Sequence, residues 1–350
     1  MPIFDHLTFF GFRQTVQSAR DTRTMVRHHR FHKRLAFFRQ KDIDPSLVVL
    51  ATKSVHQSVP LEIVEEAGDR GAGDFVVVFF DTLIPKATTS GLRLGHRIQV
   101  APAAGTQTDP SRTVLETPPL AVATKLPLIV DAPFKSGSWL AANALSNNAD
   151  HRRTIAVVNG ASRIAQRYAI DFVKLDPHGR AYSGDPSRNE NWVGYGEPIL
   201  AVADAIVERV FDGLPDNQPL TPPSIRIGLD TIAGNHLVLV LPNGERVLYG
   251  HLKPGSIAVK KGEHVKRGDI LAALGNSGQS DAPHLHIHIA DGASALGANG
   301  LTFAFRTFRV AGYAPSLQIL EKPEGWNGPA PSGRDVRENE LPTDLAVIEF

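Results

Sequence analysis

Residues 282–291 read "APHLHIHIAD", with His284, His286 and His288 at every second position and Leu285, Ile287 and Ile289 between them. A side-chain period of two belongs to a β-strand, in which successive residues point to opposite faces. The apolar set calls for a core on one side. The three imidazoles share the other, where two of them can converge on one small centre as paired metal ligands, or as a ligand and a base. A chain with this strand builds a sheet with one dry face; the other carries a chemically active patch or a solvent-facing row of histidines, and the strict alternation favours the active patch.

The rest of the sequence agrees with a mainly β fold. "SLVVLA", "DFVVVFF", "LRLGHRIQVA" and "AVATKLPLIVDAP" are short β-branched or aromatic runs separated by Gly, Pro, Asp and Thr clusters. They predict a β-rich, sandwich-like accessory domain over 46–145. "RTIAVV" and "QRYAIDFV" flank "NGAS", which suggests a hairpin. "NHLVLVL" and "RVLYGHL" flank "PNGE", where Asn243-Gly244 suits a type I′ turn. That turn would pair Leu241 near Arg246 and set His236 across from His251. "GSIAVKKGEHVKRGDILAALGNSG" reads as strand, Gly turn, strand, Gly turn. Residues 214–227 form a Pro-rich insertion. The tail, 316–350, is acidic and Pro-containing, and ends in an apolar run able to dock as an edge strand.

Composition narrows the chemistry. The chain has no cysteine, so disulfides and thiolate metal sites are excluded. A net charge of +1 gives no global sign of a nucleic-acid partner. No apolar run approaches the ~18 residues of a membrane span. The charge is uneven: residues 1–40 carry eight Lys/Arg against Asp5 and Asp21, leaving the remainder net acidic. Residues 1–45 read as a solvated basic extension, or as a basic helix for a membrane surface or acidic partner. His28, His29 and His32 belong to it and read as solvated. The basic stretch is too long, and "LAFF" too short, for a secretory signal with its apolar stretch of about 7–15 residues.

A third metal ligand must come from outside the His strand. Asp171, in "QRYAIDFV", is a carboxylate within an apolar strand, where aspartate is disfavoured and is rarely buried without a partner. A metal would be such a partner; a backbone amide at a strand end would be another. By alternation His251 shares a face with Tyr249.

In this order the segments resemble the lysostaphin-type (LytM-like) zinc endopeptidases, which cut peptide bonds in bacterial peptidoglycan. "YGEPILAVADAIVERVFDG" resembles the family's "G-x-P-V-x-A-x-x-D-G" strand–turn–strand, and "GNSGQSDAPHLHIHIADG" its final motif. The match spans roughly 165–290. It implies an antiparallel β-sheet peptidase domain, placed here at 146–315, with Zn2+ as cofactor and peptidoglycan peptides as partner. It also implies a periplasmic, secreted or cell-envelope location, although no signal peptide is visible. By position, Asp171 and His286 resemble zinc ligands. His284 resembles the base that deprotonates the catalytic water, and His251 the second active-site histidine, which steadies that water or the developing oxyanion.

One position departs from the pattern. The family's first motif is His-x-x-x-Asp, and the histidine position is Arg167, whose guanidinium is always protonated and cannot ligate. Either the site is degenerate, leaving a cell-wall-binding or regulatory protein, or another histidine substitutes. His151, in "ADHRRTIAVV", is the candidate, because "HRR…QRYAID" resembles a subset of the family with an upstream histidine. A tight Asn159-Gly160 turn would set His151 opposite Tyr168; a longer loop, the preferred register, would set it opposite Asp171. His236 is a reserve ligand, and His288 reads as lying behind the ligands or at the surface. A biotinyl/lipoyl carrier domain, which "VKKGEHVKRGDILAALG" also resembles, needs a modifiable lysine at a hairpin tip. Lys260, Lys261 and Lys266 are not so placed.

Overall fold

The computed structural model describes residues 126–223, 225–328 and 335–350, together with segments 3–9, 47–53, 60–61, 78–84, 93–102 and 113–121. The chain divides into two compact units, Met1–Leu126 and Pro127–Phe350.

Among the described residues the first unit holds three small sheets. Ile3–Phe9 pairs with Val78–Ile84. Pro60–Leu61, Leu47–Lys53, His96–Pro102 and Thr113–Glu116 form a four-stranded sheet, and Arg93–Leu94 pairs with Leu120–Ala121. Residues 3–9 thus form a paired strand. The rest of the basic segment, with His28, His29 and His32, lies outside the described residues.

The second unit is built on an eleven-stranded sheet. Its order is His264–Val265, Ala205–Phe211, Asn235–Val240, Arg246–Leu252, Leu285–Ala290, Ile170–Leu175, Ser138–Ala142, Ala346–Glu349, Phe303–Tyr313 and Val336–Glu340. Leu128–Val130 joins Phe303–Tyr313 as the one parallel pairing of this sheet. The unit begins at Pro127, earlier than 146, because Leu128–Val130 and Ser138–Ala142 pair into it. The terminal apolar run is an interior strand, not an edge: Ala346–Glu349 lies between Ser138–Ala142 and Phe303–Tyr313.

Alternation in the His strand holds. Leu285, Ile287 and Ile289 are fully buried in the main core with Ile170, Phe172, Leu237, Leu239 and Tyr249. Burying each such side chain is worth about 1.5–3 kcal/mol, so this face fixes the register, since a one-residue slip would reverse every side chain. On the opposite face Val173 and Leu175 follow Asp171 at even steps. They pack with Leu140, Val347, Tyr182 and Trp192 in a second cluster.

Two turns differ from expectation in instructive ways. Asn159 and Gly160 both have left-handed backbones (φ 51° and 75°), as a two-residue type I′ turn requires. The tight turn therefore forms, but its hairpin is small, pairing Ala156–Val158 with Ala161–Arg163. "QRYA" is a turn rather than a strand. At "PNGE" only Gly244 is left-handed (φ 82°), and Leu241 pairs with Glu245 around a three-residue loop. That is the form in which a type I turn is followed by a left-handed residue. The register is thus one residue short of the Leu241–Arg246 pairing.

Candidate metal centre

The adjacent strands Ile170–Leu175 and Leu285–Ala290 put Asp171 directly opposite His286. His286 in turn faces Gly250 on the other side. A Cβ at position 250 would stand 3.1 Å from Ala233 O and 3.4 Å from the Cβ of His286. His286 Nδ1 lies 2.9 Å from Asp171 Oδ1, and its Nε2 lies 2.9 Å from His288 Nδ1. His288 is 1% exposed, which places it behind His286 and not on the surface.

His151 comes from a short helix, Asp150–Arg153, and not from a strand. Its Nε2 lies 3.3 Å from Asp171 Oδ2. It reaches the carboxylate even though the tight Asn159-Gly160 turn rules out the long-loop register. The helix turns the ring inward where strand pairing would not. The ligand atoms of His151, Asp171 and His286 all lie within 4.8 Å of one another, and all three residues are buried.

His251 arrives by a bulge. Gly250 and His251 together oppose His236, between the pairs Leu237–Tyr249 and Asn235–Leu252. His251 has a left-handed backbone, φ 59°, uncommon for a side-chain-bearing residue. Tyr249 and Leu252 are in the main core, whereas the His251 ring lies 4.6 Å from that of His284 and 5.7 Å from that of His286. Simple alternation with Tyr249 would have buried this imidazole in the core; the extra residue turns it to the other face. Its Nδ1 donates to Ser277 O at 2.7 Å. His236 does lie across from this bulge. Its ring stacks on Phe211 at 5.2 Å and its Nδ1 donates to Gly234 O, so it stands apart from the three converging ligand atoms. Arg167 sits half-buried in the 165–168 turn, with its Nε buried and lacking a hydrogen-bond partner.

The hydrogen bonds decide the tautomers. A carbonyl oxygen only accepts, so a ring nitrogen bound to one carries the proton. His151 Nδ1 donates to Asn143 O at 2.9 Å, and His284 Nδ1 to Ala282 O at 2.8 Å, with Ser280 Oγ beside it at 3.2 Å. When the rings are neutral, their Nε2 atoms, 3.3 and 3.4 Å from Asp171, present lone pairs to a carboxylate. Such a contact is satisfied by a second proton on the ring or by a metal ion between ring and carboxylate. One nitrogen each from His151 and His286 and a carboxylate oxygen of Asp171, all within 4.8 Å of one another, match the three protein ligands of catalytic zinc sites. The residues therefore fit a zinc ion.

Electrostatics divide the rings. Burial opposes charge on Asp171, but the His151 and His284 rings outweigh it and hold the carboxyl well below its usual range. Burial likewise opposes charge on His284, yet Asp171 prevails and raises its pKa. Burial and the neighbouring rings keep His251 well below the ordinary imidazole value. Burial pushes His286 down to about 4.

Two loops brace the segment leading into His284. The Pro-rich insertion packs along 276–282: the Asn217 amide donates to Gly278 O and Ser280 O, and Leu220 N to Asp281 O. Ser280 Oγ donates to Asn276 Oδ1, so the loop leading into His284 is braced from behind. These partners were not evident in the sequence; the "GNSG" and "PHLHIHI" strings mark the segment but not what it bonds.

Residues 192–297 match the model of peptidase family M23. The matched residues lie within a mainly β fold. Among solved structures it is similar to a mutant catalytic domain of the prophage-encoded M23 protein EnpA from Enterococcus faecalis. The identity is 22%, over 38% of this chain and 73% of that one, at a TM-score of 0.25. It is similar to the catalytic domain of the antimicrobial peptidase lysostaphin from Staphylococcus simulans at 20% identity, over 48% and 88%, at 0.25. A putative peptidase M23 from Pseudomonas aeruginosa shares 17% identity over 74% and 92%, at 0.27. Likenesses of this size add no argument beyond the family match. No curated protein matches the chain.

Proposed function

We propose that the protein is a zinc-dependent endopeptidase that hydrolyses peptide bonds in bacterial peptidoglycan. The carrying observation is the convergence of His151, Asp171 and His286, whose ligand atoms all lie within 4.8 Å of one another, with His284 Nε2 3.4 Å from the same carboxylate. His151, Asp171 and His286 would hold the metal. Bound zinc lowers the pKa of water toward about 7, supplying a nucleophile at neutral pH. His284 accepts the proton at Nε2, because Ala282 O occupies its Nδ1–H. Asp171 then stabilises the imidazolium that results. His251 has two candidate roles, holding the water or the oxyanion. Its burial keeps it neutral, and its only N–H is committed to Ser277 O. It therefore orients the water as a hydrogen-bond acceptor. We assign this work to residues 127–350, and a location in the periplasm, cell envelope or outside the cell, where the substrate is. Among the described residues no helix is long and apolar enough to cross a membrane.

The test is metal analysis of the purified chain after zinc loading, followed by digestion of purified peptidoglycan. One zinc per wild-type chain, lost in His286→Ala, Asp171→Asn and His151→Ala, supports the site. No zinc in the wild type sinks it. Zinc without release of soluble peptide would leave a metal-binding, cell-wall-binding or regulatory protein.

A further inference from the structure

Asn143 follows the strand Ser138–Ala142, whose last residue pairs with Asp171. Its backbone is left-handed, with φ 48°. Asn tolerates that region better than most residues, and a turn maker needs nothing more than this tolerance. Asn143 does more. Its main-chain carbonyl accepts from His151 Nδ1 at 2.9 Å. Its side-chain amide Nδ2 donates to Asp171 Oδ2 at 3.0 Å. One residue thus touches two of the three converging groups, on the side of each away from or beside the lone pair it presents.

We infer that Asn143 is a positioning residue for the metal centre, its carbonyl fixing the His151 ring and its amide fixing the Asp171 carboxylate in a single turn. The left-handed backbone is what allows both at once: it aims the carbonyl at the ring while the side chain reaches back to the neighbouring strand. Partners of this kind orient the ligands of metal sites, and their loss typically costs about 10–100-fold in metal affinity. The departure at Arg167 gives the arrangement its purpose. A ligand drawn from a helix has no strand register to hold it, and Asn143 ties that ligand to the strand system instead.

The inference rests on the zinc reading above, and its test separates the two. Zinc affinity is measured on the full chain by competition with a chromophoric chelator, beside the melting temperature of the chelator-stripped protein. Asn143→Gly keeps the left-handed backbone and removes only the amide. The expected result is a zinc Kd weakened about 10–100-fold, with a melting temperature close to wild type when stripped, and a changed visible spectrum of the cobalt-substituted protein. An unchanged Kd and spectrum overturn the role of Asn143 while leaving the zinc site standing. A wild type that binds no zinc overturns the site itself. Should Asn143→Gly fold poorly, the wild-type protein decides: nitrogen NMR before zinc is added must show His151 protonated at Nδ1 and bare at Nε2. The opposite tautomer overturns the inference.

Discussion

Three imidazoles meet Asp171, those of His151, His284 and His286, with His251 and His288 beside them, and their partners give the five different work. His284 and His251 are each locked through Nδ1 to a carbonyl, whereas His286 is held through Nε2 by His288. His284→Ala should therefore keep its zinc and lose about 10²–10⁴-fold in kcat, the range for a positioned proton acceptor; loss of zinc along with activity would make it a ligand instead. His288→Leu should weaken zinc binding about 10–100-fold with His286 still in place, and His288→Gln, which retains an acceptor, should recover much of it. Chelator competition reads both, and equal affinities across the three proteins would show His288 to be mere filling. At this scale the sequence was informative where chemistry follows from alternation. His284 and His286 could be read from a period of two, and Asp171 from an acid in an apolar run. His151 could only be guessed, because a helix of four residues leaves no periodicity. The partners Asn143, Ser277 and Ala282 could not be seen, since each acts through a backbone carbonyl that every residue type possesses.

Elements decide how these side chains meet. His251 reaches the site because the Arg246–Leu252 strand carries one extra residue at Gly250–His251, and Gly275–Gly278 receives it. That loop is seated on glycines. A Cβ on Gly278 would stand 2.3 Å from Gly234 N, and one on Gly234 would stand 2.3 Å from Ser277 O. Both have left-handed backbones, φ 79° and 62°. Two main chains touch here with no space for a methyl group. Gly278→Ala should lower stability by about 1–3 kcal/mol through backbone strain alone, and should lower activity further by moving Ser277 O away from His251. Thermal denaturation checks the first and peptide release the second. A stable, fully active Gly278→Ala would mean that the loop adapts. The glycines in "GNSG" were visible in the sequence as turn formers. Their role as a contact surface was not, because the other half of the contact lies some forty residues upstream.

Across the whole molecule, the second unit draws its sheet from both ends of its span. Ala346–Glu349 pairs with Ser138–Ala142, which pairs with the Asp171 strand. Val347 and Ile348 are fully buried. Removing residues 335–350 should strip the neighbour from the strand leading into Asn143 and expose both cores. The expected outcome is insoluble protein, or soluble protein without bound zinc. A truncated chain with wild-type zinc content would show the site to be self-supporting. Residues 127–350 alone should fold and bind zinc, since this unit is compact by itself. The mainly β character could be read from short β-branched runs, but the boundary at 127 could not. Strand order depends on which edges meet in space, and a tail read as a loose edge supplies an interior strand.

That interior strand carries a consequence for how the protein comes into being. On the ribosome, Ser138–Ala142 emerges roughly two hundred residues before its partner Ala346–Glu349, which at about 5–20 residues per second is ten seconds or more of waiting. Throughout that interval Ser138–Ala142, the strand beside that of Asp171, lacks its outer neighbour. The centre reaches its final form only as the last strand slots in, so translation itself delays the moment at which the site can become competent.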